Sequence, residues 1–372
     1  MLTTFAGHVK DQLKRRSPIL LRWLGLQLLN KAQTEKSLKP AQLTVRRKAP
    51  VHLPEVRDAF DLEKVLFAPK TVQTDPDFVW KCSNKAGNTQ LLRCGSLRIG
   101  RQVPDTDFGN QALLNDILSP DFRPVEYYPT VLAPWSHYWG GYYDYVLFVA
   151  AKLCRIKAAL SPEQFDQAVL SYPLFNTPFE AELLGLLGIS PDRIIDSRQQ
   201  ALSFDSCVVA NNSSWFYPST FDLLALKAAI EAQLPPQPLP PRRRLYISRA
   251  GRRRVVNEAE LTQMLSQYGF ELIADEPRSV AEQVRLYQSA AFIIGPHGAS
   301  FANLLWCRPA TQLLELFAPN YRPEYFRYLS HALDLRYAAY SPGPLLDSHH
   351  AHVDADIIVD VDEVEAALKR AL

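Results

Sequence analysis

The stretch that decides the fold is residues 290–317, AAFIIGPHGASFANLLWCRPATQLLELF. Its two apolar runs, 291–294 and 311–317, predict buried strands, and a short helix is predicted between them over 299–306. The turn 295–298 carries two glycines and His297. A strand that ends in such a turn and opens a helix presents main-chain N–H groups to an anion. A second interpretation is a βαβ unit whose glycines only make the turn tight.

Glu315 lies inside the second apolar run. Burying a carboxylate among apolar side chains is costly unless a partner compensates it. We therefore expect Glu315 to have a partner near the end of its strand.

Strands and helices alternate regularly on either side of this stretch from residue 242 onward. Strands are predicted over 245–248 and 270–274, and the helices between strands begin at two capping boxes, Asn257-x-x-Glu260 and Ser279-x-x-Glu282. This alternation predicts a doubly wound parallel sheet, in which ligands bind at the carboxyl ends of the strands. Arg249, the turn 295–298 and Glu315 all fall at or near such ends, so they are predicted to form one site.

The preceding part of the chain has the same α/β character. Strands are predicted over 168–171, 193–196 and 207–210, helices begin after Ser161 and Thr177, and a further helix covers 219–233. The proline-rich run LPPQPLPP, 234–241, predicts a stiff linker. With 372 residues the chain is long enough for two domains. The predicted division is an N-terminal basic amphipathic extension (1–40), an acceptor-binding domain (41–233), the linker (234–241), a nucleotide-sugar-binding domain (242–345) and a C-terminal tail and helix (346–372).

Composition restricts the class of protein. The chain is 47% hydrophobic with a net charge of +2, which is typical of a globular protein and does not imply a polyanionic partner. Five scattered cysteines favour a reducing compartment over a disulfide framework or a zinc site. No apolar run is long enough to span a bilayer, and no signal-peptide layout precedes the domains. We expect a cytoplasmic protein whose basic helix over 8–31 either contacts the inner membrane face peripherally or packs on the protein itself.

Two groups of residues, one of aspartates and one rich in histidine, could be interpreted as metal ligands. Asp75–Asp77 and Asp105–Asp107 have D-x-D spacing, and residues 347–352 contain Asp347 and three histidines. Both groups lie in turn-like or loop sequence, where these residue types are common without a metal. The sequence therefore predicts no metal site.

Aromatic residues surround Gly140 and Gly141 in WSHYWGGYYDYV, and a helical pattern follows. His137 and Asp144 stand at the entrance of this helix. An acid in a first helical turn is favoured by the helix dipole alone. An acid among so many aromatic side chains is equally suited to a substrate cleft with a shifted pKa.

The chemistry of the predicted C-terminal site suits a nucleoside diphosphate. The planar fork of an arginine such as Arg249 binds diphosphate oxygens through paired hydrogen bonds. A glycine turn at a helix start adds N–H donors, and a carboxylate such as Glu315 can accept hydrogen bonds from ribose hydroxyls. No G-x-G-x-x-G follows the first strand of this half and no Walker A lysine motif occurs, which disfavours dinucleotide oxidoreductases and P-loop NTPases.

Residues 242–317 resemble the family 61 glycosyltransferases, the DUF563 group. The motifs that carry the resemblance are LYISR (245–249), RVVNE (254–258), GF (269–270), EQ (282–283), IIGPHGASFANLLW (293–306) and LLEL (313–316). The resemblance implies a GT-B-like α/β fold, in which two Rossmann-like doubly wound domains face each other across a cleft. It also implies inverting transfer of a sugar from a UDP-sugar to the hydroxyl of a glycan, glycolipid or protein acceptor, with no cofactor required.

The resemblance further implies roles for individual residues. Arg249 would contact the diphosphate, His297 and the Gly298 amide would lie near the phosphate or sugar, Asn303 would support their loop, and Glu315 would hold the ribose. Asn257, Gly295 and Ala299 complete the predicted nucleotide-sugar site. Asp144 stands where many relatives have histidine. It is our candidate for the base that deprotonates the acceptor, with His137 as the second candidate.

Two alternatives remain open. One is a non-catalytic relative that only binds nucleotide. The other is an RNA-binding protein, which the arginine clusters 242–244 and 252–254 suggest and the near-neutral total charge disfavours.

Overall fold

A computed structural model describes residues 23, 25–107, 121–135, 141–212, 214, 216–236, 241–346 and 353–371. The chain divides into two compact units. Unit 1 comprises residues 1–48 and 75–229, and unit 2 comprises residues 49–74 and 230–372. Both units mix strands and helices, which confirms the predicted α/β class.

The strands in chain order are β1 (Gln27–Leu28), β2 (Gln42–Arg46), β3 (Val51–Leu53), β4 (Val56–Arg57), β5 (Val65–Phe67), β6 (Lys70–Val72), β7 (Asp77–Ser83), β8 (Thr89–Leu91), β9 (Leu97–Ile99), β10 (Gln102–Val103), β11 (Val125–Ala133), β12 (Val169–Tyr172), β13 (Ile194–Asp196), β14 (Ala201–Ala210), β15 (Arg243–Ile247), β16 (Phe270–Ile273), β17 (Ala290–Pro296), β18 (Gln312–Leu316) and β19 (Arg336–Tyr340).

The helices are α1 (Lys31–Leu38), α2, α3 (Pro162–Gln167), α4 (Pro178–Leu186), α5 (Thr220–Glu231), α6 (Glu258–Gln267), α7 (Val280–Gln288), α8 (Tyr325–Ala332) and α9 (Val361–Ala371). Helix α2 is continuous through Tyr142–Asp144, a π-helical turn over Tyr145–Ala150, and Ala151–Ala158. A 3₁₀ helix, Ala299–Trp306, follows β17. None of the helices in the described ranges is both long and apolar enough to cross a bilayer.

Unit 1 is built on a six-stranded sheet of order β13-β12-β11-β14-β7-β2. The first four strands are parallel, and β7 and β2 extend the sheet in antiparallel fashion. The parallel strands follow the 3-2-1-4 order of dinucleotide-binding sheets. Strand β14 is much longer than the predicted 207–210, because apolar residues continue at alternate positions back to Leu202.

Unit 2 is built on five parallel strands in the order β16-β15-β17-β18-β19. One face of this sheet packs against α6 and α9 through residues such as Tyr246, Ile294 and Leu368. The alternate residues Leu245, Ile293 and Leu313 are also buried, so both faces are covered, as the near-continuous apolar runs predict.

Capping accounts for two helix starts in the predicted way. Ser161 and Ser279 both form reciprocal capping boxes with the residue three positions later. Asn257 does not cap α6. Its side chain instead exchanges two hydrogen bonds with the main chain of Val359, at 2.9 and 3.1 Å.

Residues 49–74 correct the predicted domain boundary, which placed them in the first domain. Asp58 forms a parallel β-bridge with Ala339 of β19. The Asp58 carboxylate accepts a hydrogen bond from the Ser341 amide at 2.8 Å. Arg327 of α8 is buried and donates to the carbonyl oxygens of Leu53, Pro54 and Ala68. These bonds and the apolar cluster around Phe67 and Phe317 attach the segment to unit 2.

The predicted C-terminal tail is also part of unit 2. Ile357, Val359, Val364 and Leu368 belong to the core between α9 and the sheet. The predicted strand over 357–359 is reduced to one bridge between Ile357 and Val255. The second stretch of unit 2 begins at residue 230, inside α5 and before the predicted linker, of which 237–240 lie outside the described residues.

The helix predicted over 8–31 falls mostly outside the described residues; Trp23 is helical, whereas residues 25–30 are not. Gln27 and Leu28 form β1, which pairs with β10, and the helix starts only after the cap Asn30. Leu26 and Leu29 are buried. Residues 25–40 are therefore part of unit 1 and not an extension.

Candidate nucleotide-binding site

The order of strands in unit 2 locates the candidate site. Counted along the chain the order is 2-1-3-4-5, and the direction of winding reverses between β15 and β17. In open α/β sheets, ligands bind at the carboxyl ends of the two strands that flank this reversal. Arg249 follows β15 and His297 follows β17, so both predicted residues lie at this point.

Arg249 lies directly against the turn after β17. A methyl group placed on Gly298 would overlap Nη1 of Arg249, so the absence of a side chain at Gly298 is what admits the guanidinium. The Nε of Arg249 donates to the carbonyl oxygen of Arg252 at 2.5 Å. Gly298 precedes the 3₁₀ helix and provides no side-chain cap, so the first N–H groups of that helix lie next to the arginine.

Arg253 brings a second guanidinium to the same turn. Its Nε donates to the carbonyl oxygen of His297 at 3.2 Å and its Nη1 to that of Val353 at 2.8 Å. Its Cζ lies 5.6 Å from the centre of the Tyr321 ring. Arg253 holds a left-handed backbone conformation with φ of 61°, which turns its side chain inward towards the turn.

The two arginines form an uncompensated positive region. Within the described ranges, no carboxylate lies within 4.0 Å of either guanidinium. Burial, reinforced by the charge of Arg249, lowers the pKa of Arg253 to about 10. Burial lowers the pKa of Arg249 as well. The more distant charges of Asp275 and Asp354 oppose these shifts only in part, so the two partly buried cations favour the binding of an anion.

Beneath this region, His297 forms a short buried chain of hydrogen bonds. Its Nδ1 lies 2.6 Å from Oε1 of Glu315, and Oε2 of Glu315 accepts a hydrogen bond from the Tyr337 hydroxyl at 2.6 Å. Glu315 on β18 is 0% exposed and His297 is 4% exposed. The expected partner of Glu315 is therefore found, and it is His297.

Burial and charge both act on this pair. Burial lowers the pKa of His297 well below its usual value, and the charges of Arg253 and Arg249 lower it further. Burial raises the pKa of Glu315 well above its usual value, against the opposing effect of the Tyr337 hydrogen bond. At neutral pH the imidazole is therefore neutral.

Aromatic rings hold the imidazole in place. Phe317 and Tyr325 stack on His297 with ring centres 5.5 and 5.8 Å away. Tyr321 and Phe326 approach at 5.7 and 5.2 Å. Four rings around one imidazole fix its plane.

The role implied for Glu315 requires a correction. A ribose ligand needs carboxylate oxygens that face the ligand, whereas Glu315 is fully enclosed and both of its oxygens already have protein partners. The predicted site has two requirements. The first is that Arg249, His297 and Glu315 lie together, and it is met. The second, that all three are open to a ligand, is not met for Glu315, and His297 is only 4% exposed.

The other predicted residues have structural contacts. Gly295 is buried, and a methyl group there would lie 2.8 Å from the carbonyl oxygen of Ile247 on the neighbouring strand. Asn303 is buried and bonds to Gln283 of α7 at 2.6 Å and to Trp306 Nε1 at 3.0 Å. Asn257 is bound to Val359, and Ala299 begins the 3₁₀ helix.

Asp144 belongs to unit 1, where it is half-buried in the first turn of α2. The six residues that follow it form the π-helical turn and are all buried. Such turns are frequent at functional sites. His137 lies outside the described residues.

The residues with metal-like spacing have other partners. Asp75 pairs with Lys31, Asp77 with Lys48 and Asp107 with Lys152, each at 2.8 Å or less. Across the described ranges, no group of three or more His, Cys, Asp or Glu side chains is arranged to hold a metal ion. The loop 347–352 is not among the described residues.

Arg253, Tyr321 and Tyr337 are not singled out by the sequence. Arg253 stands in a run of three arginines that resembles a solvated basic cluster, and only the positive φ separates it from Arg252 and Arg254. Those two arginines face outward and pair with Asp354 and Asp356. Tyr337 lies 22 residues from Glu315 on the neighbouring strand, so its contact depends on strand register.

We expect Gly298→Ala to separate binding from folding. The backbone of Gly298 is extended, with φ of −175°, so alanine is tolerated, but its methyl group would push the Arg249 guanidinium out of place. The free energy of unfolding should change by less than about 1 kcal/mol, as for most substitutions without core contacts. Affinity for UDP, measured by calorimetry, should fall about tenfold or more with the loss of a charge-assisted hydrogen bond.

Gly251→Ala is the matched control, because Gly251 is in the same loop and a methyl group there meets no atom within 4 Å. Equal UDP affinity in both variants would show that Arg249 does not depend on Gly298.

The fold is that of an α/β protein, and sequence comparison shows which family the chain represents. Residues 89–314, more than half of the chain, match the family described as Glycosyltransferase 61. The chain therefore belongs to glycosyltransferase family 61. It is similar to Beta-1,2-xylosyltransferase RCN11 of Oryza sativa subsp. japonica, with 38% identity over 61 residues. That match covers 16% of this chain and 11% of the rice protein.

Proposed function

We propose that the protein is an inverting glycosyltransferase that uses a UDP-sugar donor bound at the turn after β17. The observation that carries this proposal is the pair of guanidiniums, Arg249 and Arg253, which converge on a glycine turn at a helix start without a carboxylate within ion-pair distance. A diphosphate supplies the missing negative charge. The GT-B arrangement, the cytoplasmic location and a peripheral membrane contact stay predictions.

The proposed reaction is a single displacement at the sugar C1. The acceptor oxygen forms a bond to C1 while the bond from C1 to the diphosphate oxygen breaks, and UDP leaves with the electron pair. The acceptor proton passes to the Asp144 carboxylate. Arg249, Arg253 and the amides of the 3₁₀ helix stabilise the charge that develops on the diphosphate, and His297 donates to it.

The test of donor binding is thermal unfolding of the wild-type protein with UDP, GDP and CDP. A ligand at 100 times its Kd stabilises a protein by about 2.7 kcal/mol. We expect UDP to give the largest rise in Tm, and UDP-sugars to be hydrolysed or transferred in a product assay. A larger rise with GDP or CDP would contradict the choice of donor.

Asp144→Asn tests the proposed base. Loss of a general base should reduce transfer by roughly 10²- to 10⁴-fold, while the rise in Tm with UDP remains. Asp166→Asn is the control, since Asp166 is an exposed acid on α3 of the same unit. Retained activity in Asp144→Asn would leave Asp144 as an acid favoured only by its helix start.

The two alternatives give different results. A non-catalytic relative would show the rise in Tm without product. An RNA-binding protein would use the exposed arginines of the clusters 242–244 and 252–254, but Arg243, Arg252 and Arg254 already pair with Glu271, Asp354 and Asp356. These ion pairs favour the proposed glycosyltransferase over an RNA-binding protein.

A further inference from the structure

Tyr337, Glu315 and His297 form a linear chain that ends at the donor site. Both hydrogen bonds are 2.6 Å long. They join Tyr337 on β19 to Glu315 on β18, and Glu315 to His297 in the turn after β17. The chain engages Nδ1 of His297 only. In the part of the protein that the structure describes, no group hydrogen-bonds to Nε2.

The location of the hydrogen atoms follows from the surroundings of Glu315. An ionised carboxylate that is 0% exposed needs a cation, and none of the described lysines or arginines lies within 4.0 Å of Glu315. The carboxyl group is therefore neutral and carries a hydrogen. A neutral acid kept in this state by burial is a hydrogen-bond donor. Oε2 receives the Tyr337 hydrogen bond, so the Glu315 O–H lies on Oε1 and points to Nδ1.

A histidine that accepts at Nδ1 carries its hydrogen on Nε2. We propose, on the basis of the proposed function, that Glu315 and Tyr337 are positioning residues that hold His297 as a neutral donor at Nε2. That N–H donates to the departing diphosphate beside Arg249 and Arg253. The alternative pattern, an ionised Glu315 that accepts from Nδ1–H, would leave Nε2 as an acceptor facing a phosphate.

The pKa shifts of the pair agree with this pattern. The pKa of Glu315 is raised and that of His297 is lowered, both chiefly by burial, and the two arginines oppose an imidazolium. Both pKa shifts favour an uncharged His297 and an uncharged Glu315.

Glu315→Gln distinguishes the two patterns. A glutamine amide can donate to Nδ1 and accept from Tyr337, so it preserves the proposed arrangement. To accept the Nδ1–H of the alternative pattern, the amide must turn its oxygen to His297, which places its NH₂ group against the Tyr337 hydroxyl and breaks the hydrogen bond that Tyr337 donates. We expect Glu315→Gln to keep the Nε2–H tautomer and to retain kcat within about threefold, since no hydrogen bond is lost.

Tyr337→Phe removes the outer hydrogen bond while the ring still packs beside Phe317. We expect kcat to fall about fivefold to tenfold, the effect of one hydrogen bond, with KM for the UDP-sugar little changed. Tyr340→Phe is the matched control. Tyr340 is on the same strand and donates to Glu363 at 2.7 Å, away from His297.

The deciding measurement is two-bond ¹H–¹⁵N correlation NMR of the uniformly labelled protein. The His297 signals are assigned by their loss in His297→Gln. The Nε2–H tautomer in the wild type and in Glu315→Gln, with a shifted His297 signal in Tyr337→Phe but not in Tyr340→Phe, supports the proposal. An Nδ1–H tautomer in the wild type, a tautomer switch in Glu315→Gln, or equal spectra for the two tyrosine variants overturns it. Absence of UDP binding by the wild type would count against the proposed function alone, because the NMR comparison does not depend on turnover.

Discussion

Arg249→Met and Arg253→Met are expected to abolish the rise in Tm with UDP and to reduce sugar transfer by about 100-fold or more, the usual cost of losing one fixed electrostatic stabiliser. Each arginine lies at the carboxyl end of the sheet where the winding reverses, and each lacks a carboxylate within ion-pair distance. Methionine keeps the unbranched apolar stem of the side chain and removes the guanidinium group with its charge and hydrogen-bond donors. The measurements are thermal unfolding with UDP and a transfer assay.

The stability of the ligand-free protein supplies a second readout. Removing one of two uncompensated cations relieves their repulsion, so Arg249→Met should unfold at the same Tm as the wild type or a higher one. Arg252→Met is the control, because Arg252 is in the same loop with its side chain 56% exposed and paired with Asp354. If Arg252→Met lost as much UDP binding as Arg249→Met, the loop as a whole and not the inward pair would be responsible.

Arg327→Met is expected to give the largest loss of stability. Its guanidinium is buried and donates to three main-chain carbonyl oxygens of residues 49–74. Leaving several buried acceptors without a donor should cost about 3 kcal/mol or more. For a unit of this size that corresponds to a fall in Tm of roughly 6–12 °C.

Arg336→Met is the matched control, since Arg336 is an exposed arginine on the neighbouring strand β19. Its Tm should stay close to that of the wild type. A similar fall in both variants, or none in Arg327→Met, would show that the segment 49–74 is attached by its apolar contacts alone.

Local signals in the sequence predict the second sheet well. The apolar runs before Gly295 and around Leu314 are buried strands, and the 3₁₀ helix has the predicted bounds of 299–306. They are predictable because both faces of a parallel sheet are buried, so each strand is a continuous apolar run. Glu315 is recognisable in such a run as a residue that needs a partner, and the structure supplies His297.

What the sequence does not predict depends on contacts between distant residues. Residues 49–74 carry no sign that they belong to unit 2, because their short strands pair locally, β3 with β6 and β4 with β5. The segment reaches the sheet through a bridge between Asp58 and Ala339. The difference between Arg252 and Arg253 is a backbone angle, and Tyr337 reaches Glu315 through strand register. Residue identity does not encode either.

Residues 49–74 belong to unit 2 but lie between two stretches of unit 1 in the sequence, and this order has a consequence for biosynthesis. These strands leave the ribosome early, before the whole of unit 1 from Asp75 onward, yet the strand beside them, β19, is among the last to be made. Contacts between parts so distant in sequence form late and slowly. The nascent chain must therefore carry these strands without their final neighbours through most of its synthesis, and fragments that begin at residue 230 lack part of the unit they were meant to isolate.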